Sequence, residues 1–544
     1  MSISPDLFSE HYAMKCKINV SPTAANFLIL TFLFTALFHA SLLAQPDENA
    51  SVVDLLPENI GPINAPFEMP RLSRPIFLDR NFNIKDFGAV EGGKIKVTNA
   101  IRKAIEAAEK AGGGRVVIPE GVWLTGPIHL KSNINLYAAK DAEVRFSSDF
   151  SDYLPAVFSR HNGVECYKPS ALLYAISCEN IAITGKGLFH GYGKDWRGNA
   201  SRMLSPAGSR PGKLVDDNVP IKDRLFDGSE GDYLRPAFVQ PINCKDVFIE
   251  GVTFMYGPQW TIQPTYCENV IVRGVRVVTK GNEEYDGTPN GDGINPDSCK
   301  NVLIEYCDMD TGDDCFAIKS GRAEDGLRVG RPCENIVIRH NQGRRGHGGV
   351  VIGSETSGGI RNVFIRDCTF DGTDRGLRFK TARGRGAVIE NIWVQDVTMG
   401  TIRKEAIIVN TLRYTDRYPA YPLSDRTPTY RNLHFKKITC EYAKGTGIQI
   451  IGLPEKPIGF FTFENIKIKS EEGIRAQDAR NLTFVNVQIV SNKGPVVLLD
   501  DCFDITIQNA SRPKVADTFI QLTGEKTKGI KVDGVEVRTL HANQ

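Results

Sequence analysis

The sequence lacks long runs of basic residues, and its 544 residues carry a formal net charge of only +2. Proteins whose main partner is nucleic acid usually concentrate basic residues in a patch or tail. The charge pattern therefore argues against a nucleic-acid partner, and an acidic ligand would have to be held by local arginines and lysines. Hydrophobic residues make up 41% of the chain, so it can bury a large core.

Long hydrophobic runs are also scarce, and the exception lies near the N-terminus, from Phe27 to Ala44. Basic residues precede this stretch and small residues end it, an order typical of a secretory signal peptide. We predict that residues 1–44 of the printed sequence contain the signal peptide. The basic segment that begins at Met14 makes an ordinary start for such a peptide, so we expect translation to begin at Met14 instead of Met1. A single membrane anchor is the alternative, but the stretch is short and contains His39. The prediction is therefore export to the periplasm or the exterior, without stable membrane insertion.

The 12 cysteines include no Cys-x-x-Cys pair, so the spacing of common zinc and redox sites is absent. Removal of residues 1–44 leaves 11 cysteines, an odd number that cannot all pair internally. Six of them lie two residues before an Asn or Asp in a recurring phrase: Cys178, Cys244, Cys267, Cys299, Cys333 and Cys502. We predict that these six form a buried ladder of small hydrophobic side chains, in preference to disulfides, a metal site or nucleophilic chemistry.

The recurring phrase reads "NCKDVFIEG", "YCENVIVRG", "SCKNVLIEY" and "PCENIVIRH", each a short strand of alternating apolar and polar residues. The units lack helical periodicity, which argues against a helical solenoid and favours a parallel β-helix of about 22 residues per coil, with stacked Asn side chains. The residues that open the strands, at steps of 23 to 41, are Asp246, Asn269, Asn301, Asn335, Asn362, Asn391, Asn432 and Asn465. The next step, from Asn465 to Asn481, is only 16 residues and does not fit a full coil.

An amphipathic helix precedes the coils in "VTNAIRKAIEAAEKAGGG", with its apolar face at Ile101, Ala104, Ile105 and Ala108 and a glycine stop. We predict that this helix caps the open end of the solenoid. Residues 45–80 are predicted to be a linker or an N-terminal wrap, and residues 81–544 the all-β catalytic domain. A long insertion at 193–236 breaks the coil rhythm.

Charged residues fall at matching places in consecutive coils, which predicts that they share one face. Asp313 and His347 each lie 12 residues after the Asn that opens their coil. In coil order, this face carries Asp292, then Asp313 and Asp314, then His347, then Arg378 and Lys380. Strands of neighbouring coils lie about 4.8 Å apart. A lone Asp-Asp pair is normally a solvated turn, whereas the set in this order indicates a site.

Three clustered carboxylates can keep one proton near neutral pH, because they cannot all ionise cheaply at close range. Glycoside hydrolysis needs such a protonated acid together with an ionised carboxylate. Arg378 and Lys380 should point the same way from one strand, with Phe379 buried between them, and two cations there suit an anionic substrate.

The ordered motifs "NGDG" at Asn290, "GDDC" at Gly312, "GHG" at Gly346 and "RFK" at Arg378 resemble the polygalacturonase family of pectin-degrading glycoside hydrolases, glycoside hydrolase family 28. The similarity runs from "FNIKDFGAV" near Phe82 to the last coils. The resemblance implies a right-handed parallel β-helix and hydrolysis of α-1,4-galacturonosyl bonds in pectin, with inversion. We predict no cofactor and no metal site.

By the same resemblance, Asp313 is the general acid, while Asp292 and Asp314 activate water. His347 is similar to the supporting histidine of the family. The expected substrate contacts are Asn290, Arg378, Lys380 and, one coil further on, Tyr414. Two motifs depart from the family, which usually has Asn-Thr-Asp and Arg-Ile-Lys, but neither change removes a functional group.

Several alternatives remain beside this interpretation. The fold also suits a hydrolase of rhamnose-containing pectin, a Ca²⁺-dependent pectate lyase that eliminates through an Arg base, or a non-catalytic polysaccharide-binding solenoid. Asp297 is interpreted as a structural turn carboxylate, and Glu355 is assigned no role. We further hypothesise that the insertion at 193–236, with the loop before Asp292, blocks one end of the groove and makes the enzyme exo-acting.

Overall fold

A computed structural model describes residues 51–197, 206–229, 234–281, 287–413, 419–510 and 518–537. From Ser51 onward the chain forms one compact unit. The predicted signal peptide, Tyr414 and parts of the insertion and of the loop before Asp292 lie outside the described residues. In the part that is described, no helix is both long and apolar enough to cross a membrane.

Short strands dominate the first half of the chain. The first coils contain β1 (Asn81–Asn83), β2 (Gly114–Ile118), β3 (Gly121–Thr125), β4 (Ile128–His129), β5 (Ile134–Ala138), β6 (Ala142–Phe146), β7 (Val157–His161), β8 (Val164–Lys168), β9 (Leu173–Ile176), β10 (Glu179–Gly185) and β11 (Leu188–His190). The middle coils contain β12 (Val239–Ile242), β13 (Lys245–Glu250), β14 (Thr253–Met255), β15 (Glu268–Arg273), β16 (Arg276–Val278), β17 (Lys300–Glu305), β18 (Asp308–Asp310), β19 (Phe316–Ile318), β20 (Cys333–Arg339), β21 (Gln342–Arg345) and β22 (Val350–Ile352).

Longer, bent strands replace the short ones toward the C-terminus, and helices are few. The last coils contain β23 (Ile360–Phe370), β24 (Leu377–Lys380), β25 (Val388–Ile402), β26 (Ile407–Asn410), β27 (Thr429–Ile451), β28 (Ile458–Gln477), β29 (Ala479–Asp500), β30 (Phe503–Gln508), β31 (Ile520–Thr523), β32 (Lys528–Val532) and β33 (Val535–Val537). The α-helices are α1 (Thr98–Lys110), α2 (Gly193–Arg197), α3 (Pro206–Asp216) and α4 (Ala323–Val329), and 3-10 turns occur at Val52–Leu55, Ile84–Phe87, Phe150–Tyr153 and Ile221–Asp223.

Most strands pair in parallel with their counterparts one coil further on, which confirms the predicted right-handed parallel β-helix. The pairs β7–β8 and β32–β33 are antiparallel. One face, here called the ladder face, stacks β5, β10, β13, β15, β17, β20 and β23. Another, here called the site face, continues from β12 through single bridges at Ile262 and Ile294 to β19, β22, β24 and β26. A third row, which includes β14, β16 and β18, closes the coil.

The recurrent Asn residues open the strands of the ladder face in the left-handed conformation, for example Asn335 with φ 58°. Asn tolerates this conformation better than other residues with a side chain. Its amide stacks as predicted: Asn335 Nδ2 donates to Asn301 Oδ1 at 3.1 Å, and Asn362 Nδ2 donates to Asn335 Oδ1 at 3.1 Å. The ladder therefore fixes the same point of each coil that carries one of these Asn residues.

The assignment of Asn465 to this ladder was wrong. Arg431 pairs with Gly459 and Leu433 with Phe461, so the position opposite Asn432 is Phe460. Phe460 adopts the same left-handed conformation, with φ 63°, but lacks the amide by which the sequence pattern was followed. The coil from Phe460 then reaches Asn481 after 21 residues, which removes the short step.

The interior is apolar along its whole length, and the six cysteines of the predicted ladder are all buried and free. Cys244, for example, donates its thiol to the carbonyl of Ile242 at 3.3 Å. Aromatic side chains stack in the last coils, where Phe435, Phe463 and Phe484 have ring centroids 4.7 and 4.9 Å apart. The prediction of a buried cysteine ladder is therefore confirmed.

Helix α1 caps the N-terminal end of this core, as predicted. Ile101, Ala104, Ile105 and Ala108 are buried against the first coils. The helix ends at Lys110, and Gly112 follows with φ 85°, a backbone conformation that glycine adopts without strain. Residues 51–80 run along the outside of the ladder face, where their carbonyls accept hydrogen bonds from arginines of the strands.

The ladder can be tested at Asn335. Asn335→Ala removes two amide hydrogen bonds and places a Cβ-bearing residue without a compensating amide at positive φ, so we expect a loss of about 2 kcal/mol in the free energy of unfolding. Asn335→Gly removes the hydrogen bonds but accepts the backbone conformation, so the loss should be about 1 kcal/mol. Urea unfolding followed by circular dichroism measures both. Equal losses would show that the backbone conformation contributes nothing.

Candidate functional site

The two acidic motifs meet in adjoining turns on the site face. Thr279 Oγ1 accepts a hydrogen bond from Gly312 N at 3.0 Å and donates one to the carbonyl of Gly291 at 2.5 Å, so one hydroxyl ties the "NGDG" turn to the "GDD" turn. A Cβ atom at Gly312 would lie 2.3 Å from the carbonyl oxygen of Thr288. The glycine of "GDD" is therefore required by the close approach of the two turns.

Strand register places carboxylates above one another. The bridge between Ile294 and Phe316 makes Asp292 and Asp314, each two residues earlier, equivalent positions of consecutive coils. The main chain confirms this, because Gly293 N donates to the carbonyl of Asp314 at 2.9 Å. The coil-spaced carboxylate of Asp292 is thus aligned with Asp314 and not with Asp313.

Asp314 is buried and bound by two cations from β24. Lys380 Nζ lies 2.6 Å from Asp314 Oδ2, and Arg378 Nη1 lies 3.1 Å from Oδ1. Burial alone would raise the pKa of Asp314, but the charges of Lys380 and Arg378 outweigh it and hold the pKa below its usual range. Phe379, between the two cations, points into the core as predicted. Asp314 is therefore the member of the set that is ionised at neutral pH.

Asp292 is buried without a comparable cation of its own. Asn295 Nδ2 donates to Asp292 Oδ2 at 2.9 Å, and Lys319 Nζ lies 3.6 Å from the same oxygen. Burial, followed by the charges of Asp313 and Asp314, raises the pKa of Asp292 to about 8. The acidic set consequently holds a proton at neutral pH, in line with the expectation from clustered carboxylates.

Asp313 is the most accessible carboxylate of the set. Its side chain is 20% exposed, compared with 3% for Asp292 and 2% for Asp314. His347 Nδ1 lies 2.9 Å from Asp313 Oδ1, and this hydrogen bond raises the pKa of His347. The main chain repeats the contact, since His347 N donates to the carbonyl of Asp313 at 2.9 Å. The equal spacing of the two residues in the sequence therefore corresponds to direct contact.

Lys319 was missed by the sequence analysis, although it lies in the polar phase of the strand that follows Asp314. Its ammonium lies 3.1 Å from Glu355 Oε2, donates to the carbonyl of Gly353 at 3.0 Å and sits 4.7 Å from the ring centre of Trp260. Trp260 was missed too, but it precedes Asp292 by the same 32 residues that separate Asn269 from Asn301. Coil spacing could have found it.

Other predicted positions lie at the edge of this group. Asn290 Oδ1 accepts a hydrogen bond from Arg235 Nη2 at 3.0 Å, so Arg235 fixes the orientation of the Asn290 side chain. Asp297 is buried and pairs with Arg160 at 2.9 Å, which fits a structural carboxylate. Tyr414 lies outside the described residues. Among the residues that the structure describes, no group of three or more His, Cys, Asp or Glu side chains is arranged to hold a metal ion.

Comparisons with known proteins identify relatives of this chain. The family model described as Glycosyl hydrolases family 28 matches residues 227–496, and one described as Rhamnogalacturonase A/epimerase, pectate lyase-like matches residues 81–150. An exo-poly-alpha-D-galacturonosidase of Dickeya chrysanthemi is 28% identical, with 75% of this chain and 71% of the relative covered. An endo-polygalacturonase of Pectobacterium parmentieri is 27% identical, with 69% and 84% covered.

A solved structure is similar over nearly its whole length. The hyperthermoactive exopolygalacturonase from Thermotoga maritima superposes with a TM-score of 0.64 and is 34% identical, with 86% of this chain and 94% of that chain covered.

The raised pKa of Asp292 makes stability depend on pH. The folded protein keeps this proton up to a pH of about 8, whereas an unfolded chain releases it near pH 4, about the model-peptide value. Folding therefore takes up a proton between these values, and wild-type stability falls as the pH rises through this window. Asp292→Asn cannot ionise, so its thermal midpoint should exceed that of the wild type by an amount that grows from pH 4 to pH 8.

Calorimetry at a series of pH values measures this difference. Asp246→Asn, the same substitution on the ladder face and outside the acidic set, is the control variant. A difference between Asp292→Asn and wild type that is constant with pH would contradict the raised pKa of Asp292.

Proposed function

The chain belongs to glycosyl hydrolases family 28, and we propose that it hydrolyses α-1,4-galacturonosyl bonds of pectin with inversion. One observation carries the proposal: the acidic set combines one accessible carboxylate, Asp313, with two buried ones, Asp292 and Asp314. An inverting glycosidase needs an acid that reaches the leaving oxygen and a separate base that activates water. The three aspartates supply both roles.

In the proposed reaction, Asp313 protonates the glycosidic oxygen as the bond from this oxygen to the anomeric carbon breaks. A water molecule held by Asp292 and Asp314 attacks the anomeric carbon from the opposite face and gives up a proton to one of these carboxylates. His347, hydrogen-bonded to Asp313, orients the acid. The products are a free reducing end with inverted configuration and a new chain end on the leaving sugar.

The proton for this step is already in the acidic set. Asp314 stays ionised between Lys380 and Arg378, while Asp292 is protonated up to a pH of about 8 because of burial and its acidic neighbours. We propose that substrate binding passes this proton to Asp313 and leaves Asp292 and Asp314 ionised for water activation. As the pH rises above 8 the set loses the proton, and turnover should decline.

Lys380 and Arg378 would also bind the substrate carboxylate. Arg378 is 16% exposed at its side chain and Lys380 6%, so both border the surface above Asp314. A galacturonate carboxylate placed there would share two cations that Asp314 alone does not fully use. A neutral sugar has no charge with which to pair these two cations, which favours an acidic polysaccharide or oligosaccharide as the partner. Asn290 and Tyr414 remain proposed sugar contacts.

Homogalacturonan is favoured over rhamnose-containing pectin. The rhamnogalacturonase-like match covers only residues 81–150, which contain none of the proposed catalytic residues. The match to family 28, by contrast, spans the acidic set, His347 and both cations. We further propose that the enzyme is exported, with residues 1–44 as the signal peptide, because its polymeric substrate lies outside the cell.

Exo action is proposed from the insertion at 193–236. Helix α3 of the insertion lies against β8 and α4, beside the strand ends of the site face. Leu214 packs with Cys166, Phe226 and Leu234 in a small separate core, so the insertion is anchored there. A wall at this place would restrict how far a polymer can extend past the acidic set. Exo-acting proteins occur among the relatives, as do endo-acting ones.

The reaction is tested on polygalacturonic acid with excess chelator, following reducing ends and ultraviolet absorbance together. We expect reducing ends without absorbance, and a loss of about a thousandfold in kcat for Asp313→Asn, the size expected for a general acid. Asp246→Asn, the same change in the ladder, should keep wild-type activity. Absorbing products, or activity abolished by the chelator, would point to a lyase. Full activity of Asp313→Asn would indicate a different acid.

Exo action is tested by comparing viscosity with bond cleavage. An exo-acting enzyme shortens chains from their ends, so the viscosity of polygalacturonate should remain near its starting value while reducing ends accumulate, and small galacturonides should appear first. A rapid fall of viscosity when few bonds are broken would show endo action. This result would leave the hydrolytic chemistry intact.

A further inference from the structure

A cavity of about 250 Å³ lies beyond the carboxyl ends of the strands that carry the site. Its wall is built by β8 at Val164, by α3 of the insertion at Val215 and Asp216, by Arg322 before α4, and by the turn at 382–385 after β24. Four separate segments thus enclose one space. Its volume is below that of pockets for drug-sized ligands and suits a single sugar unit.

The cavity is rich in positive charge. Arg322, Arg383 and Arg385 face Asp216, the one carboxylate among its lining residues. Arg383 donates two hydrogen bonds to the carboxylate of Glu455, at 2.7 and 2.8 Å, so its charge is already compensated within the protein. Arg385 is only 7% exposed. Arg322 is exposed, and within the described ranges it forms no ion pair with a carboxylate.

The wall of the cavity is linked to the acidic set through the chain and through Glu355. Arg322 follows Lys319 by three residues, and Arg383 follows Lys380 by three residues, so the strands that present the two lysines lead directly into its wall. Glu355 links the two places: its Oε2 lies 3.1 Å from Lys319 Nζ. Burial alone would raise the pKa of its carboxyl, but the charges of Lys319 and Arg385 hold this pKa below the usual range. The hairpin tip at Gly163 closes over Glu355, since a Cβ atom there would lie 3.0 Å from Glu355 Cγ.

From this arrangement we propose that the cavity binds the carboxylate of a uronic acid unit outside the scissile pair, with Arg322 as its main ligand. The inference rests on the proposed function and deepens it, because it names the part of the substrate that the insertion recognises. A guanidinium presents paired N–H donors that match a carboxylate. A methyl-esterified unit is neutral and cannot form an ion pair with Arg322, so Arg322 should not increase its affinity.

Binding of trigalacturonate to the inactive Asp313→Asn protein, measured by titration calorimetry, tests the cavity. Adding Arg322→Gln should raise Kd about tenfold, the loss expected for a hydrogen bond to a charged group. Gly212→Trp should do the same by filling the space, since a Cβ atom at Gly212 meets no atom within 4 Å. Arg361→Gln, on an ion pair of the ladder face, is the control and should leave Kd unchanged.

The methyl ester of trigalacturonate separates charge recognition from shape. It should bind more weakly than the acid to the parent protein, and Arg322→Gln should weaken it no further. An unchanged Kd for the acid in both cavity variants, or an equal loss for acid and ester in Arg322→Gln, would overturn the proposal. Wild-type hydrolysis of polygalacturonate is measured separately, so a protein that binds trigalacturonate but does not cleave it refutes the proposed function and not the cavity.

Discussion

Parallel hydrogen bonding between consecutive coils is the constraint on which the rest of this molecule depends. Val302 pairs with Ile336 and Ile336 with Val363, although 34 and 27 residues separate them. A slip of one residue would turn an inward row of side chains outward. The left-handed Asn residues of the ladder face, hydrogen-bonded from one coil to the next, oppose such a slip. Loops of different length can therefore leave the helix without moving the side chains that the strands present.

The same register creates the electrostatic conflict of the site. It stacks Asp292 on Asp314 at the separation of neighbouring strands, where two buried carboxylates repel. Lys380 compensates the negative charge of Asp314 by binding it directly. Lys319, by contrast, lies near two carboxylates, Asp292 and Glu355, and does not fully compensate Asp292. The remaining repulsion is relieved by a proton on Asp292. The proton that the acidic set holds near neutral pH is thus a consequence of coil stacking.

The fold and part of the site could be predicted because they follow from spacing. Asp313 and His347 share an offset of 12 from the ladder and are in contact. The prediction failed at Phe460, where a left-handed position without an amide broke the pattern and shifted the register to Asn465. Lys319 was missed because a lysine in a strand is ordinarily a solvent-facing residue, and its burial between two carboxylates depends on contacts from other coils.

Contacts made by loops cannot be predicted from the coil spacing, because the spacing does not determine where a loop packs. Arg322 and Gly163 lie far apart in the sequence, yet Arg322 N donates to the carbonyl of Gly163 at 3.0 Å. No repeat governs where an inserted hairpin or helix comes to rest, since its position is set by small local cores such as that around Phe226. The repeat therefore determines where the acidic set lies, and the insertions that it tolerates determine the surface around that set. Segments that contribute nothing to the register can therefore change the surface around the acidic set while the strands keep the set itself in place.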